Sequence, residues 1–209
     1  MKKSLIITPN NLGWIQTELD DIEIDYLWKC IENKKGSWKF NLAGNITGSY
    51  ALVDKSDWFF NNTLKPAIKL YAENFKNMGF NVPITERHLY RLTEIWVNYQ
   101  KQNEFNPLHD HSGVYSFVIW MKIPTSFDDQ KKNPLANQIN DNSISNFKFQ
   151  YLNILGQSMN YNYEMSPEWE GTMLFFPSQL LHIVYPFYNC DDERISISGN
   201  IKIDTSKQL

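Results

Sequence analysis

The chain has 209 residues, of which 42% are hydrophobic and 21% charged, with a formal net charge of −3. That is a globular composition, long enough for one domain with a substantial core, and it excludes a disordered or low-complexity chain. The small acidic balance provides no general attraction for polyanions, so nucleic acid is not an expected partner, and no apolar run is long enough to cross a bilayer.

The opening MKKSLIITPN is too short in its apolar part for a signal peptide. Cys30 and Cys190 are the only cysteines and form no CxxC motif, so a disulfide framework is not expected. The expected location is the cytoplasm, or a host's cytoplasm if the source is viral. An abundance of Lys, Asn and Ile points to an AT-rich microbial or phage genome.

Residues 18–34 place Leu19, Ile22, Leu27, Cys30 and Ile31 near one helical face, with acidic residues in the first turn. Residues 40–50, FNLAGNITGSY, have the composition of a turn. Residues 56–78 predict a second helix, with Trp58, Leu64, Ile68, Tyr71 and Phe75 apolar, Ser56 or Asp57 as its cap and Gly79 as its stop. Pro66 lies inside this run and predicts a kink or two short helices.

Beyond residue 85 the pattern becomes that of strands: 87–100, 114–123, 146–154, 171–177, 181–188 and 194–203. Between the second and third of these lies a long polar stretch, 125–145, expected to be a surface loop or a lid. The whole reads as a mainly β protein with N-terminal helices (α+β), the helices packed on a β-sandwich or small barrel. A single domain over 1–209 is expected, helical over about 1–84 and β over about 85–204.

The segment PLHDHSG carries His109 and His111 on either side of Asp110. On a strand, residues i and i+2 share a side, so the two histidines point together and Asp110 points away. Asp110 competes with His111 as a metal ligand only if a turn or bulge begins there. His182, 71 residues after His111, is the candidate third ligand. Arg194 and Ser196 then sit two apart on one strand, where a guanidinium fork and a hydroxyl suit a small dicarboxylic acid. Each piece has an ordinary explanation: a satisfied core histidine, a salt bridge, a solvated hydroxyl. Their order and common location in the β-half favour a metal site.

The HxD-like motif, the distant histidine and the later R-x-S resemble the iron(II)/2-oxoglutarate-dependent oxygenases. NLAGNI (41–46), WVN (96–98), FNPLHDHSGVYSFVIWMKIP (105–124), FFPSQLLHIVYPF (175–187) and ERISISGN (193–200) are similar to a microbial and phage branch of that superfamily. The resemblance runs over about residues 20–203 and implies a double-stranded β-helix (a cupin-like jelly roll) flanked by helices. It implies Fe(II) on His109, His111 and His182, with 2-oxoglutarate and O2 as co-substrates. It also implies that Arg194, assisted by Ser196, holds the distal carboxylate of 2-oxoglutarate. Where the common pattern has Asp or Glu, this chain has His111, which leaves the site one positive charge richer and keeps Asp110 as the alternative ligand.

Asn98 and Trp96 share a strand face upstream and are candidates to line the pocket, Asn98 as a donor to 2-oxoglutarate. Tyr115, Ser116, Trp120 and Asn200 are further lining candidates whose ordinary role is packing. The implied activity is hydroxylation of a small molecule or protein side chain, with release of succinate and CO2. The alternatives are a non-catalytic jelly-roll binding or structural module, and a three-histidine cupin-like metal enzyme that needs no 2-oxoglutarate. A homodimer is the default assembly.

Overall fold

Alternating polar and apolar positions build two antiparallel sheets in the computed structural model, which describes residues 5–7, 11–75, 88–136 and 143–208. The elements run β1 (Ile15–Glu18), α1 (Asp21–Glu32), β2 (Gly48–Ala51), α2 (Lys65–Asn74), β3 (His88–Gln100), β4 (Asn106–His109) and β5 (Tyr115–Lys122). They continue with α3 (Phe127–Lys131), β6 (Phe147–Leu152), β7 (Ser158–Tyr163), β8 (Thr172–Pro177), β9 (Leu181–Val184) and β10 (Arg194–Gln208). The larger sheet has the order β1-β8-β5-β10-β3-β2 and the smaller β4-β9-β6-β7. This is a jelly roll with helices flanking it.

The larger sheet is covered on both faces, so β5 is buried along nearly its whole length. Its odd positions, Tyr115, Phe117, Ile119 and Met121, join Leu27 and Ile31 of α1 and Ile68 and Tyr71 of α2 in one core. Its even positions Val118 and Trp120 meet Phe147, Phe149 and Tyr163 of the smaller sheet in a second core. Each fully buried aromatic contributes about 1.5–3 kcal/mol of transfer free energy. The aromatic-rich sequence is spent largely on these two layers.

The six strand runs of the β-half all form, although the run at 181–188 ends early at Val184. Four short strands have no clear sequence signal: β1, β2, β4 and β7. β2 begins inside the 40–50 stretch expected to be only a turn, and pairs with β3 at the sheet edge. Helix α1 starts at a capping box, Asp20 accepting from the Glu23 amide and Glu23 from the Asp20 amide. It buries Leu27, Cys30 and Ile31, whereas Ile22 is exposed.

The second helix departs from expectation at its start. Ser56 and Asp57 both have positive φ and cap nothing; Asp54 instead accepts from the amides of Phe59 and Phe60 at 2.9 and 2.8 Å. The helical run that Asp54 caps begins at Trp58, widens to a π-helical turn over 60–64 and continues without a break into α2, so Pro66 lies inside it. Pro66, which has no amide hydrogen to give an α-helical bond, is accommodated where that wider turn loosens the ladder. The expected stop at Gly79 lies outside the described residues. Among the described residues no helix is long and apolar enough to cross a membrane.

Candidate metal centre and adjoining cavity

β4 and β9 pair antiparallel with His109 opposite His182, and the two ring centroids lie 4.2 Å apart. Strand β4 ends at His109, so strand alternation does not carry through to His111. What brings His111 back is the turn that follows: its amide donates to the Ser178 carbonyl at 2.9 Å, just beyond β8. The ligand atoms of His109, His111 and His182 all lie within 4.8 Å of one another. Asp110 is exposed at the rim of the same cavity and outside this cluster.

The rings are prepared to act as neutral donors. Nδ1 of His109 lies 2.7 Å from the Pro107 carbonyl, and Nδ1 of His182 2.9 Å from that of Leu180. A carbonyl only accepts, so the neutral rings carry their proton on Nδ1 and keep the Nε2 lone pair free. Burial lowers the basicity of all three histidines. His111 is pushed down to about 4 by burial and then by the neighbouring His109. His109 is lowered by burial, and His182 falls well below the usual range through burial and both neighbours. Three converging neutral imidazoles fit a divalent transition metal, iron included, and do not fit calcium or magnesium.

Along β3 and β10, facing residues form four polar rungs: Gln100 with Arg194, Asn98 with Ser196, Trp96 with Ser198 and Glu94 with Asn200. All eight line a cavity of about 310 Å³ that the three histidines also line. The intervening residues Ile195 and Ile197 turn to the helix-side core. Trp38, Leu42, Ala43 and Ile46 lie along the cavity, so the 40–50 segment does border it. Trp38 stacks on Trp96, with centroids 5.8 Å apart and planes 17° from parallel, and Trp96 meets His111 edge-on.

Arg194 is only 2% exposed. Its Nη2 donates to the Ser145 carbonyl at 3.0 Å and to Ser145 Oγ at 2.5 Å, and its Nη1 to Gln100 Oε1 at 3.4 Å. Its guanidinium sits over the Phe187 ring, and Nε has no partner. Among the described residues no carboxylate pairs with it. Burial lowers its basicity to about 9, which still leaves it charged at neutral pH. A buried cation without an anion is costly, and a bound carboxylate would offset that cost.

Asn98 is 4% exposed with its Oδ1 unpartnered, and Ser196 is half-buried beside it. Of the other lining candidates, Trp120 reaches the cavity wall and Asn200 its floor. Tyr115 faces the opposite way, packed among the rings of Tyr71, Tyr90 and Phe175. Ser116 lies behind the cavity, bonded to Ser178 and Asn200.

Sequence reasoning missed Gln100 and Ser145, the residues that hold Arg194. Gln100 is signalled by its parity with Asn98 and Trp96. Ser145 has no such signal: it sits in the polar stretch expected to be a surface loop, yet Ser143, Ile144, Ser145 and Asn146 are all buried. The middle of that stretch, 137–142, lies outside the described residues.

Residues 94–200 match a family described as "Putative 2OG-Fe(II) oxygenase". No curated protein sequence matches the chain. Among solved structures, a prolyl-4-hydroxylase from Pseudomonas putida aligns at 14% identity with a TM-score of 0.51, over 91% of this chain and 92% of its own. HygX from Streptomyces hygroscopicus, solved with nickel and 2-oxoglutarate bound, aligns at 9% identity with a TM-score of 0.50, over 93% and 84%. At such identities the likeness is one of fold.

Proposed function

The chain belongs to the 2OG-Fe(II) oxygenase family, and we propose that it is a dioxygenase that hydroxylates a small molecule or a protein side chain. In this reading His109, His111 and His182 hold the iron, and Arg194 with Ser196 receives the distal carboxylate of 2-oxoglutarate. Asn98, on the same rung as Ser196, flanks the co-substrate. Bound iron supplies the redox chemistry by which 2-oxoglutarate and O2 become succinate and CO2 while one oxygen atom goes to the substrate.

The protein's own part is binding and orientation. The histidines are neutral at neutral pH and need release no proton to take a dication. Three neutral ligands leave that dication's charge whole, which favours an incoming dianion more than a site with a carboxylate ligand would. Arg194 directs the dianion: its charge is fixed by Ser145 and Gln100 and meets no carboxylate among the described residues. Trp120, Phe147 and Phe176 put apolar side chains on the lining, with Phe147 and Phe176 packed against the His182 ring.

The observation that carries the reading is this unpaired, buried Arg194 in a cavity shared with the histidine cluster. A binding module, or a metal enzyme without 2-oxoglutarate, would leave that charge buried with no task. The test is anaerobic titration of the metal-free protein with Fe(II) and then 2-oxoglutarate. A visible charge-transfer band that needs both supports the proposal; metal binding with no response to 2-oxoglutarate sinks it.

A further inference from the structure

A buried hydrogen-bond chain runs from the turn that carries His111 to a carboxylate in the cavity. Ser116 Oγ donates to Asn200 Oδ1 at 2.8 Å and lies 2.8 Å from Ser178 Oγ. An amide oxygen can only accept, so the Ser116 proton goes to Asn200 and Ser178 must donate to Ser116. Asn200 Nδ2 then donates to Glu94 Oε2 at 2.6 Å, and Lys202 Nζ donates to Glu94 Oε1 at 3.0 Å. Both donors end on Glu94, and the Lys202 ammonium on one oxygen with the Asn200 amide on the other favours its ionised form. Burial works against that ionisation, but Asn200 and Lys202 outweigh it and hold the carboxyl below its usual range.

The other end of the chain is tied to His111. Ser178 accepts from the His111 amide through its carbonyl and donates through its own amide to Val114 at 3.1 Å. Gly113 permits the close approach, since a Cβ there would fall 2.7 Å from Ser178 Oγ. Glu94 and His111 line the same cavity, and the charge of one acts on the other. Glu94 is outside the ligand cluster.

Resting on the proposal that the histidines hold iron, we infer that Glu94 is a positioning residue of this centre. Its carboxylate supplies, from outside the ligand set, the negative charge that a three-histidine site lacks, and anchors the turn that presents His111. Outer-shell groups of metal sites typically change metal affinity by about 10–100-fold, and Glu94, which reaches His111 by charge and through Asn200, Ser116 and Ser178 rather than by a bond to the ring, belongs at the lower end.

The experiment is anaerobic titration of the full chain with Fe(II) alone and with Co(II) alone, following the Co(II) visible spectrum and the dissociation constant. Glu94→Gln keeps the size and an acceptor but removes the charge, and should weaken metal about tenfold with a changed Co(II) spectrum. Glu94→Asp keeps the charge at shorter reach and should recover part of the loss; should Glu94→Gln fail to fold, Lys202→Met decides, a weakened affinity there overturning the inference. Lys202→Met removes the cation that offsets Glu94, and should leave affinity equal or tighter. A purely structural chain predicts instead that both Glu94→Gln and Lys202→Met weaken binding. That result, or a Glu94→Gln variant that binds like the parent, overturns the inference. Failure of the parent itself to bind metal would instead sink the proposed function.

Discussion

His109 and His182 are register partners across β4 and β9, with ring centroids 4.2 Å apart. Two imidazoles on adjacent strands, each with Nδ1 tied to a carbonyl two residues back, would need no rearrangement to meet the proposed metal. His182→Ala removes one such ligand and should weaken Fe(II) by roughly 100-fold or more in anaerobic titration. Asp110→Asn changes an exposed carboxylate outside the cluster, and its effect should stay below about fivefold, the scale of an exposed charge. A large loss in Asp110→Asn with little in His111→Ala would make Asp110 the third ligand.

Arg194→Met separates ligand binding from folding. The substitution removes a buried charge that has no anion, so the ligand-free variant should unfold near the parent's temperature despite the lost bonds to Ser145 and Gln100. Hydrogen bonds to a charged group contribute about 1.5–3 kcal/mol, so 2-oxoglutarate should bind about 10–100-fold more weakly. Thermal unfolding reads both effects. With metal present throughout, added 2-oxoglutarate should raise the parent's midpoint clearly and the variant's much less at the same concentration. An equal rise in both would remove Arg194 from the site.

The legible parts of this fold are those where one periodicity covers a whole element. The period of two along β3 and β10 places Asn98, Arg194 and Ser196 on one face, because both strands are long and the buried isoleucines between fix their parity. The same reasoning gives the right neighbour for His109 by an incomplete route. β4 stops at His109, and His111 is returned to the cluster by Ser178, 67 positions away in sequence. Ser145 is hidden for a related reason. Its left-handed backbone turns a polar loop inward, and the partner that makes burial tolerable is Arg194, a long-range contact that no local composition encodes.

The lowered basicity of the histidines makes stability depend on pH. In the unfolded chain each protonates near 6.5; in the folded protein His111 does so only near 4, and His109 and His182 are lowered too. The unfolded state therefore binds more protons, and metal-free stability is full above about 6.5 and falls as pH drops. Each affected histidine contributes a slope of up to about 1.4 kcal/mol per pH unit, and the loss from His111 levels off below about 4. Urea unfolding of the metal-free protein at pH 7.5, 6 and 5 should show this decline, and His111→Gln should make it shallower. A flat profile down to pH 5 would mean the rings are far more hydrated than their burial implies.

Gly44 sets how closely the 38–46 segment lies against β4. A Cβ at Gly44 would collide with Asn106 Oδ1 and fall 2.7 Å from the Asn106 Cα, whereas one at Gly36 meets nothing within 4 Å. Asn106 is buried and opens β4, three residues before His109, and the neighbouring Asn45 amide is bonded to the Phe105 carbonyl at 2.8 Å. Gly44→Ala has to push the segment off the strand, at a cost of about 1–3 kcal/mol for such overpacking, while Gly36→Ala should stay within about 0.5 kcal/mol of the parent. The displaced segment is the one that places Leu42, Ala43 and Ile46 along the cavity. Affinity for 2-oxoglutarate, measured with metal present, should therefore fall in Gly44→Ala and hold in Gly36→Ala. Equal affinity in both, together with the expected loss of stability in the first, would show that this segment closes no part of the co-substrate's site.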